Sequence, residues 1–289
     1  MSKIILSDNS IKIPSDIIGI DMGQSLSKLA YLKDDDLKLL SYPTQTSISD
    51  INLFLNSRKE QFKIFNFTGG KCFELYKEYS KDIEANLINE FEANVKGIEF
   101  LHNMEKKKEI KRSIIVTIGT GTSIVLKDDT YQHLGGSAMG GGFFMGIIKV
   151  LFNINNFQEA IRMGKKGNRY NVDLKVSDIY APEDKRVDIL FREFTAASLG
   201  KIDENFNDKY LNKEDFINSI ICLIGENLGT IATIIAEKNS VTDIVFCGGF
   251  LIENKILRKI LSLLCKINKK KAVFLKNSEF SAAIGALLR

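Results

Sequence analysis

The chain alternates short apolar runs with turns rich in glycine and hydroxyl residues, and this pattern sets the predicted elements. "DIIGID" (16–21), "KLAYLK" (28–33) and "LKLLSY" (37–42) read as three strands, from their β-branched content and alternation. A helical pattern follows at "SISDINLFLNSR", and "QFKIFNFTGG" reads as a strand ending in a glycine turn. Residues 76–104 begin and end as helix, with a polar joint around Glu90. "SIIVTIGTGTSIVLKDD" (113–129) then repeats the opening scheme of strand, turn and strand. Helical segments are expected at 140–166 and 213–238, and "TDIVFCGGF" (242–250) is a strand ending in a glycine pair. "SEFSAAIGALLR" reads as a short closing helix with Ser278 as its cap. Two halves, each led by a β-hairpin, predict a duplicated α/β architecture with a cleft between two lobes.

Composition narrows the class without naming it. Apolar residues are 44% and charged residues 26%, ordinary globular chemistry for 289 residues. A net charge of +4 is too mild for a nucleic-acid footprint. The basic clusters "EKKKEIKR" (105–112) and "KINKKK" (266–271) lie between strand-like runs and read as solvated loops. Cys72, Cys222, Cys247 and Cys265 show no CxxC spacing, so reduced buried thiols are expected. Two histidines argue against a zinc hydrolase. The first sixteen residues lack a signal-peptide core, and no apolar run approaches the roughly 18 residues of a membrane span. A cytoplasmic protein without membrane or nucleic-acid partners is expected.

The chemistry sits at the turns. Glycine lets a backbone approach a phosphate closely, and hydroxyls add donors to its N–H groups. "DMGQSLSK" (21–28) and "GTGTS" (119–123), facing each other across a cleft, could hold a nucleotide's phosphates from both sides. Asp21 would then hold Mg²⁺, directly or through water, and Lys28 would offset phosphate charge. Either turn alone is equally an ordinary tight turn, since turns favour Gly, Ser and Asp. "GGSAMGGGFFMG" (135–146) precedes an apolar helix whose free N–H groups would face an anion. No GxxxxGK[ST] is present, and no GxGxxG follows the first strand, so P-loop and Rossmann folds are unsupported. Phosphoryl transfer to an alcohol also needs a base. Glu90 and Glu92, in "INEFEANVKG", are the best candidates, and carboxylates complementing a helix N-terminal dipole are an equally good account of them.

These residues carry a family likeness. The two turns resemble those of the sugar kinase, heat-shock ATPase and actin superfamily, and the chain closely resembles bacterial type II pantothenate kinases from about residue 17 to 289. The shared pieces include "IGIDMGQSLSK", "FTGG", "EFEANVKG", "VTIGTGTSI", "GGSAMGGG", "NVDLKVSDIY", "FTAASLGK", "GENLGTIA", "IVFCGGF" and "FSAAIGALL". The resemblance implies a duplicated ribonuclease H-like, actin-like ATPase fold: a first lobe at 17–112, a second at 113–277 bearing dimerisation helices, and a C-terminal helix at 278–289 packing back on the first. It implies ATP-dependent phosphorylation of pantothenate to 4′-phosphopantothenate, the entry to coenzyme A, by a homodimer. By the same resemblance Glu90 is the catalytic base, and Gly23, Gln24, Ser25, Leu26, Ser27 and Lys28 form the first ATP loop. Thr120 and Gly121 form the second turn. Gly141, Gly142, Phe143, Phe144 and Met145 form the glycine loop, with Phe157, Gly248 and Gly249 also on the nucleotide side. Thr122 and Ala196 line the pantothenate pocket.

Three departures bear on this. The family's GGT is "GQS" here, so Ser25 keeps a hydroxyl while Gln24 adds bulk. His133, in "YQHLGG", replaces an arginine that pairs with the pantothenate carboxylate, and such a change should weaken that contact by roughly 1–3 kcal/mol. Lys96 is an alternative cation for that role. Residues 1–16 form an extension without an assigned role. Three rival readings remain: a kinase of a neutral acceptor such as pantetheine, a non-catalytic sensor of nucleotide or coenzyme A, and an activator ATPase with a bridging iron–sulfur cluster. Cys222 and Cys247 lie in apolar runs, which disfavours the cluster.

Overall fold

Ile18, Ile20 and Met22 alternate with Gly19 and Asp21 along β2 (Ile17–Met22), so one face of this strand is continuously apolar. The computed structural model describes residues 2–5, 13–44, 48–186, 188, 192–203, 206 and 211–289. The strands β3 (Leu26–Lys33) and β4 (Asp36–Pro43) follow β2 as an antiparallel meander. β5 (Ile64–Thr68) adds in parallel to β2, and β6 (Glu84–Leu87) in parallel to β5. β1 (Ser2–Ile5) pairs antiparallel with β4, so part of the N-terminal extension serves as an edge strand. The sheet order is β1-β4-β3-β2-β5-β6. Helices α1 (Ile48–Asn56) and α2 (Phe73–Tyr79) cover one face, burying Tyr31, Phe62, Phe65, Phe67 and Tyr79 beneath them.

The second sheet repeats the plan. β7 (Ser113–Ile118), β8 (Thr122–Lys127) and β9 (Tyr131–Ser137) form the meander. A long helical insertion follows: α4 (Gly141–Phe152), α5 (Phe157–Lys166), a small sheet of β10 (Leu174–Lys175) and β11 (Thr195–Ala197) around α6 (Val176–Ile179), then α7 (Lys213–Lys238). β12 (Asp243–Cys247) joins β7 in parallel, α8 (Lys255–Ile267) follows, and β13 (Lys271–Phe274) joins β12 in parallel. The order β13-β12-β7-β8-β9 matches β6-β5-β2-β3-β4 strand for strand and direction for direction. This is the duplicated two-lobed α/β fold expected from the sequence. The final helix, α9 (Ser281–Leu287), packs against α3 (Glu90–Lys106) and β2, and Asn66 Nδ2 on β5 donates to Ala286 O at 2.7 Å.

Four expectations change. Residues 76–104 are a helix, a parallel edge strand and a second helix, because β6 gains backbone partners on β5 that no local pattern announces. The segment 140–166 is two helices, α4 ending at Asn153 in a left-handed conformation. Ser278 does not cap the closing helix with its side chain; it opens a 3₁₀ turn, and its carbonyl accepts from Ser281 Oγ at 2.9 Å. Finally, α7 is long and apolar enough to cross a membrane by length and composition, with a mean hydropathy of 1.7 over its best window. Its apolar surface instead fills the second core: Ile217, Ile221, Ile224, Leu228 and Ala232 are fully buried.

Candidate active site

The turn after β2 begins from a buried charge pair. The β2–β3 register sets Asp21 opposite Lys28, and Lys28 Nζ donates to Asp21 Oδ2 at 2.9 Å. Beyond them, Gly23 N–H donates to Leu26 O at 3.1 Å and closes the turn. Thr44, at the end of the meander, braces it from below. Its N–H donates to Ser25 O at 3.0 Å and its hydroxyl to Gly23 O at 2.8 Å. Ser27 Oγ lies 3.0 Å from Thr44 Oγ1 and is fully buried, so its hydroxyl braces the hairpin. Gln24 and Ser25 stand exposed at the tip.

The second turn meets the first across the lobes. Ser25 Oγ and Thr120 Oγ1 are 2.9 Å apart, although 95 residues separate them in the chain. Gly249, at the end of β12, comes within 3.9 Å of Leu26 measured from the Cβ position it lacks. The glycine loop serves this turn differently from the sequence expectation. The Gly141 and Gly142 N–H groups donate to Gly119 O at 2.7 Å and Thr120 O at 2.9 Å. Two amides expected to be free for an anion are thus committed to shaping the second turn. At Gly142 a side chain is disfavoured, because a Cβ there would stand 2.5 Å from Thr120 Cγ2. Phe144 is fully buried in the second core rather than at a binding surface, and Phe157 packs on Phe144 and Phe250 at centroid distances of 6.3 and 6.0 Å. Phe143 is exposed and Met145 partly buried. Gly248 takes a left-handed φ of +104°, where any side chain would collide with Ile118 O. Thr122 Oγ1 donates to Met139 O at 2.7 Å, so its hydroxyl also holds the glycine loop.

The structure separates the two candidate bases. Asn89 caps α3, its side chain accepting from Phe91 and Glu92 N–H. Glu92 is ion-paired with Arg289 at 3.0 Å and Lys96 at 3.4 Å. Those pairs occupy both Glu92 and the alternative cation Lys96. Glu90 instead faces the Asp21–Lys28 pair. It stays open to solvent, yet the surrounding protein raises its pKa by desolvation. The nearby Asp21 carboxylate raises it further and Lys28 opposes. A carboxylate held above its ordinary range next to an ammonium suits a proton acceptor. His133 on β9 stacks on Phe91 with centroids 4.2 Å apart and planes 14° apart, so it stands beside the Glu90 helix end. Ala196 lies on β11, in the small separate sheet. That segment is tied to α7 by Arg169, which is buried and bonds Asp173 at 2.5 Å and Glu226 through both terminal nitrogens at 2.6 and 3.0 Å.

A polar knot behind the site was not foreseen from the sequence. Asn94, one turn beyond Glu90, donates to Thr117 Oγ1 at 2.6 Å, and Thr117 lies 3.3 Å from Cys247 Sγ. Ser281 Oγ donates to Asn94 Oδ1, so α3 and α9 are joined to the ends of β7 and β12. Burial pushes the Cys247 thiol up to about 11. The only local signal was hydroxyl and amide residues spaced among apolar ones, which any loop shares. All four cysteines are free and buried on separate elements, and none stands at an exposed helix end as a bridging cluster would require. Among the described residues no three His, Cys, Asp or Glu side chains gather in a metal-binding group. The Asp21 carboxylate beside two hydroxyl-bearing turns has the oxygen chemistry that could hold a Mg²⁺ arriving with nucleotide phosphates and keeping several waters.

Comparison with known proteins agrees with this geometry. The Fumble family matches residues 44–289. The type II pantothenate kinase of Bacillus cereus strain AH820 is 33% identical over 275 residues, covering 94% of this chain and 96% of that protein. The enzyme of the same name from Bacillus anthracis is 34% identical over 274 residues, covering 94% and 96%. Among solved structures, a ROK family glucokinase from Streptomyces griseus aligns with a TM-score of 0.55 at 11% identity, covering 94% and 97% of the two chains. The ROK hexokinase of Thermus thermophilus aligns at 0.54 and 10%, again covering 94% and 97%. These structures place the fold among the sugar kinases and actin-like ATPases. A family match over residues 44–289 and about one-third identity over 94% of the chain make this protein a member of the Fumble family and of its type II pantothenate kinases.

Proposed function

We propose that the protein transfers the γ-phosphoryl group of Mg²⁺-ATP to the primary hydroxyl of pantothenate, giving 4′-phosphopantothenate for coenzyme A synthesis. The observation that carries this reading is the meeting of Ser25 and Thr120 at 2.9 Å, beside the Asp21–Lys28 pair and Glu90. In this reading the two turns bracket the phosphates, with Gln24, Ser25 and Leu26 on one side and Thr120 and Gly121 on the other. Phe157, Gly248 and Gly249 border the rest of the nucleotide. The acceptor oxygen bonds to the γ-phosphorus as the bond from that phosphorus to the β-bridging oxygen breaks, leaving ADP. Glu90 takes the acceptor's proton, and Lys28 with the turn amides stabilises charge on the transferring group. Mg²⁺, held at Asp21, would neutralise phosphate charge. His133 and Thr122 border the acceptor, and Ala196 completes the pocket.

A homodimer and a cytosolic setting belong to the same proposal. Exposed Val150 and Leu151 on α4 support the first, and four buried free thiols the second. The test is an assay of purified protein with radiolabelled pantothenate and Mg²⁺-ATP, with pantetheine run at equal concentration. Label should pass into an ATP-dependent phosphorylated product. A clear pantetheine preference would move the acceptor to the neutral class, in keeping with a histidine where the family has arginine. Nucleotide binding without transfer to either compound would favour a sensor.

A further inference from the structure

Thr68 is a buried residue to which neither the family resemblance nor the fold assigns a task. It ends β5, in the "FTGG" stretch, and is fully buried. Its Oγ1 has no hydrogen-bond partner among the described residues. Buried hydroxyls are nearly always partnered, because an unmet one forfeits the hydrogen bonds it would make to water. Strand register shows which groups stand around this unmet hydroxyl.

Along β5, Phe65 and Phe67 enter the core beneath α1 and α2, whereas Asn66 reaches Ala286 of α9 on the opposite face. Thr68 lies two residues beyond Asn66 and shares that face. On β2, Ile20 and Met22 enter the same core, which leaves Asp21 on the α9 face. On β3, Leu29 and Tyr31 do likewise, which leaves Lys28 there. The strand registers pair Lys28 with Asp21 and Asp21 with Thr68. The three side chains thus form one row across three adjacent strands. Gly69, next to Thr68, lies so close to Asp21 that a Cβ there would stand 2.6 Å from Asp21 Oδ1. Glu90 faces the same row and responds to the charges of both Asp21 and Lys28. Lys28 donates to Asp21, whereas Thr68 Oγ1 is the buried polar atom of the row with no partner among the described residues.

We propose that Thr68 Oγ1 donates a hydrogen bond to the oxygen of the acceptor alcohol that becomes phosphorylated. That oxygen carries a carbon, a proton directed to Glu90 and two lone pairs. One lone pair attacks phosphorus, and Thr68 holds the other, fixing the direction of attack. This assignment rests on the site reading given above.

The test uses Thr68→Val, which replaces the hydroxyl by a methyl of the same shape, with Thr68→Ser beside it. In full-length protein, Thr68→Val should lower kcat/KM for pantothenate about tenfold or more, leave KM for ATP within about twofold, and melt no lower than wild type. Thr68→Ser should recover most of the loss. Unchanged kcat/KM for the acceptor would overturn the proposal, as expected if the hydroxyl binds only water. A melting point several degrees lower in the valine variant would also overturn it, by showing that the hydroxyl has a partner within the protein. Glu90→Gln distinguishes the two levels of argument. An inactive Glu90→Gln with a fully active Thr68→Val removes only the Thr68 contact. An active Glu90→Gln removes the base, while the acceptor kinetics of Thr68→Val still decide Thr68.

Discussion

The β2–β3 and β7–β8 hairpins hold the same position in two sheets of the same strand order, and both end in turns that meet at Ser25 and Thr120. Their chemistry differs in the row just below the turn. In the first lobe that row is Asp21 opposite Lys28, an ion pair at 2.9 Å. In the second it is Thr117 opposite Ser123, and Thr117 is bonded to Asn94 and placed against Cys247. Duplication supplied two similar turns, and only one received charge. A base needs a carboxylate with a raised affinity for protons, and one such group close to a cation is enough. A second charge pair in the other lobe would be buried with no reaction to serve, and burial of charge is costly. The second lobe therefore contributes shape, hydroxyl and backbone, and the first contributes the charges.

This contrast can be broken experimentally. The largest effect is expected for Glu90→Gln: kcat should fall about 10²- to 10⁴-fold in the pantothenate assay, with ATP binding retained by calorimetry. Near-normal turnover would place the base elsewhere. Asp21→Asn should lower kcat by about 10²-fold, because Lys28 loses its carboxylate partner, as would a Mg²⁺ held there under the proposed function. Its counterpart Thr117→Val should change kcat by less than about threefold. Its cost should appear in stability instead, at about 1 kcal/mol in a denaturant melt, since Asn94 loses a partner. Equal losses of activity in these two variants would end the asymmetry. Gly142→Ala should displace the second turn through Thr120 and raise KM for ATP severalfold, with a destabilisation of about 1–3 kcal/mol.

The smallest effect is in pH dependence. Glu90 must be ionised to accept a proton, and its pKa lies above the ordinary carboxylate value, with desolvation the leading cause. The acid limb of kcat should therefore lie at higher pH than for an unperturbed glutamate, with the rate rising as pH rises through it. Folding has the opposite sign. The folded state holds this proton more tightly than the unfolded chain, so stability falls as pH climbs from the ordinary value to the raised one. Above the raised value the penalty is fully present, so there Glu90→Gln should melt at or above the wild-type temperature. A lower melting point would show that Glu90 is structural.

Much of the fold was legible because periodicity is a local property. Strands at "IIGID", "SIIVTI" and "DIVFC" were readable from alternating or continuous β-branched runs bounded by glycine. The edge strand at 84–87 was not, since "EANL" is strand only by virtue of pairing with β5. In the site, Asp21, Lys28 and Glu90 stood out as charges placed within apolar runs. Glu90 and Glu92 were indistinguishable in sequence because each sits in the first turn of the same helix. Arg289, the last residue of the chain, distinguishes them by pairing with Glu92. The glycine run at 140–142 was visible, and its task was misread. Its first amides serve the second turn, which only the closeness of Gly142 to Thr120 explains.

The sequence by itself determined the two hairpin-led halves, the polar turns and the residue types that phosphoryl transfer needs. Tertiary structure alone decided that Ser25 meets Thr120, that Thr68 joins the Asp21–Lys28 row without a partner among the described residues, and that Glu92 rather than Glu90 is taken up by Arg289 and Lys96. The physical reason is range. Alternation and turn preference act over a few residues, whereas register, ion pairing and desolvation depend on which distant segments pack together.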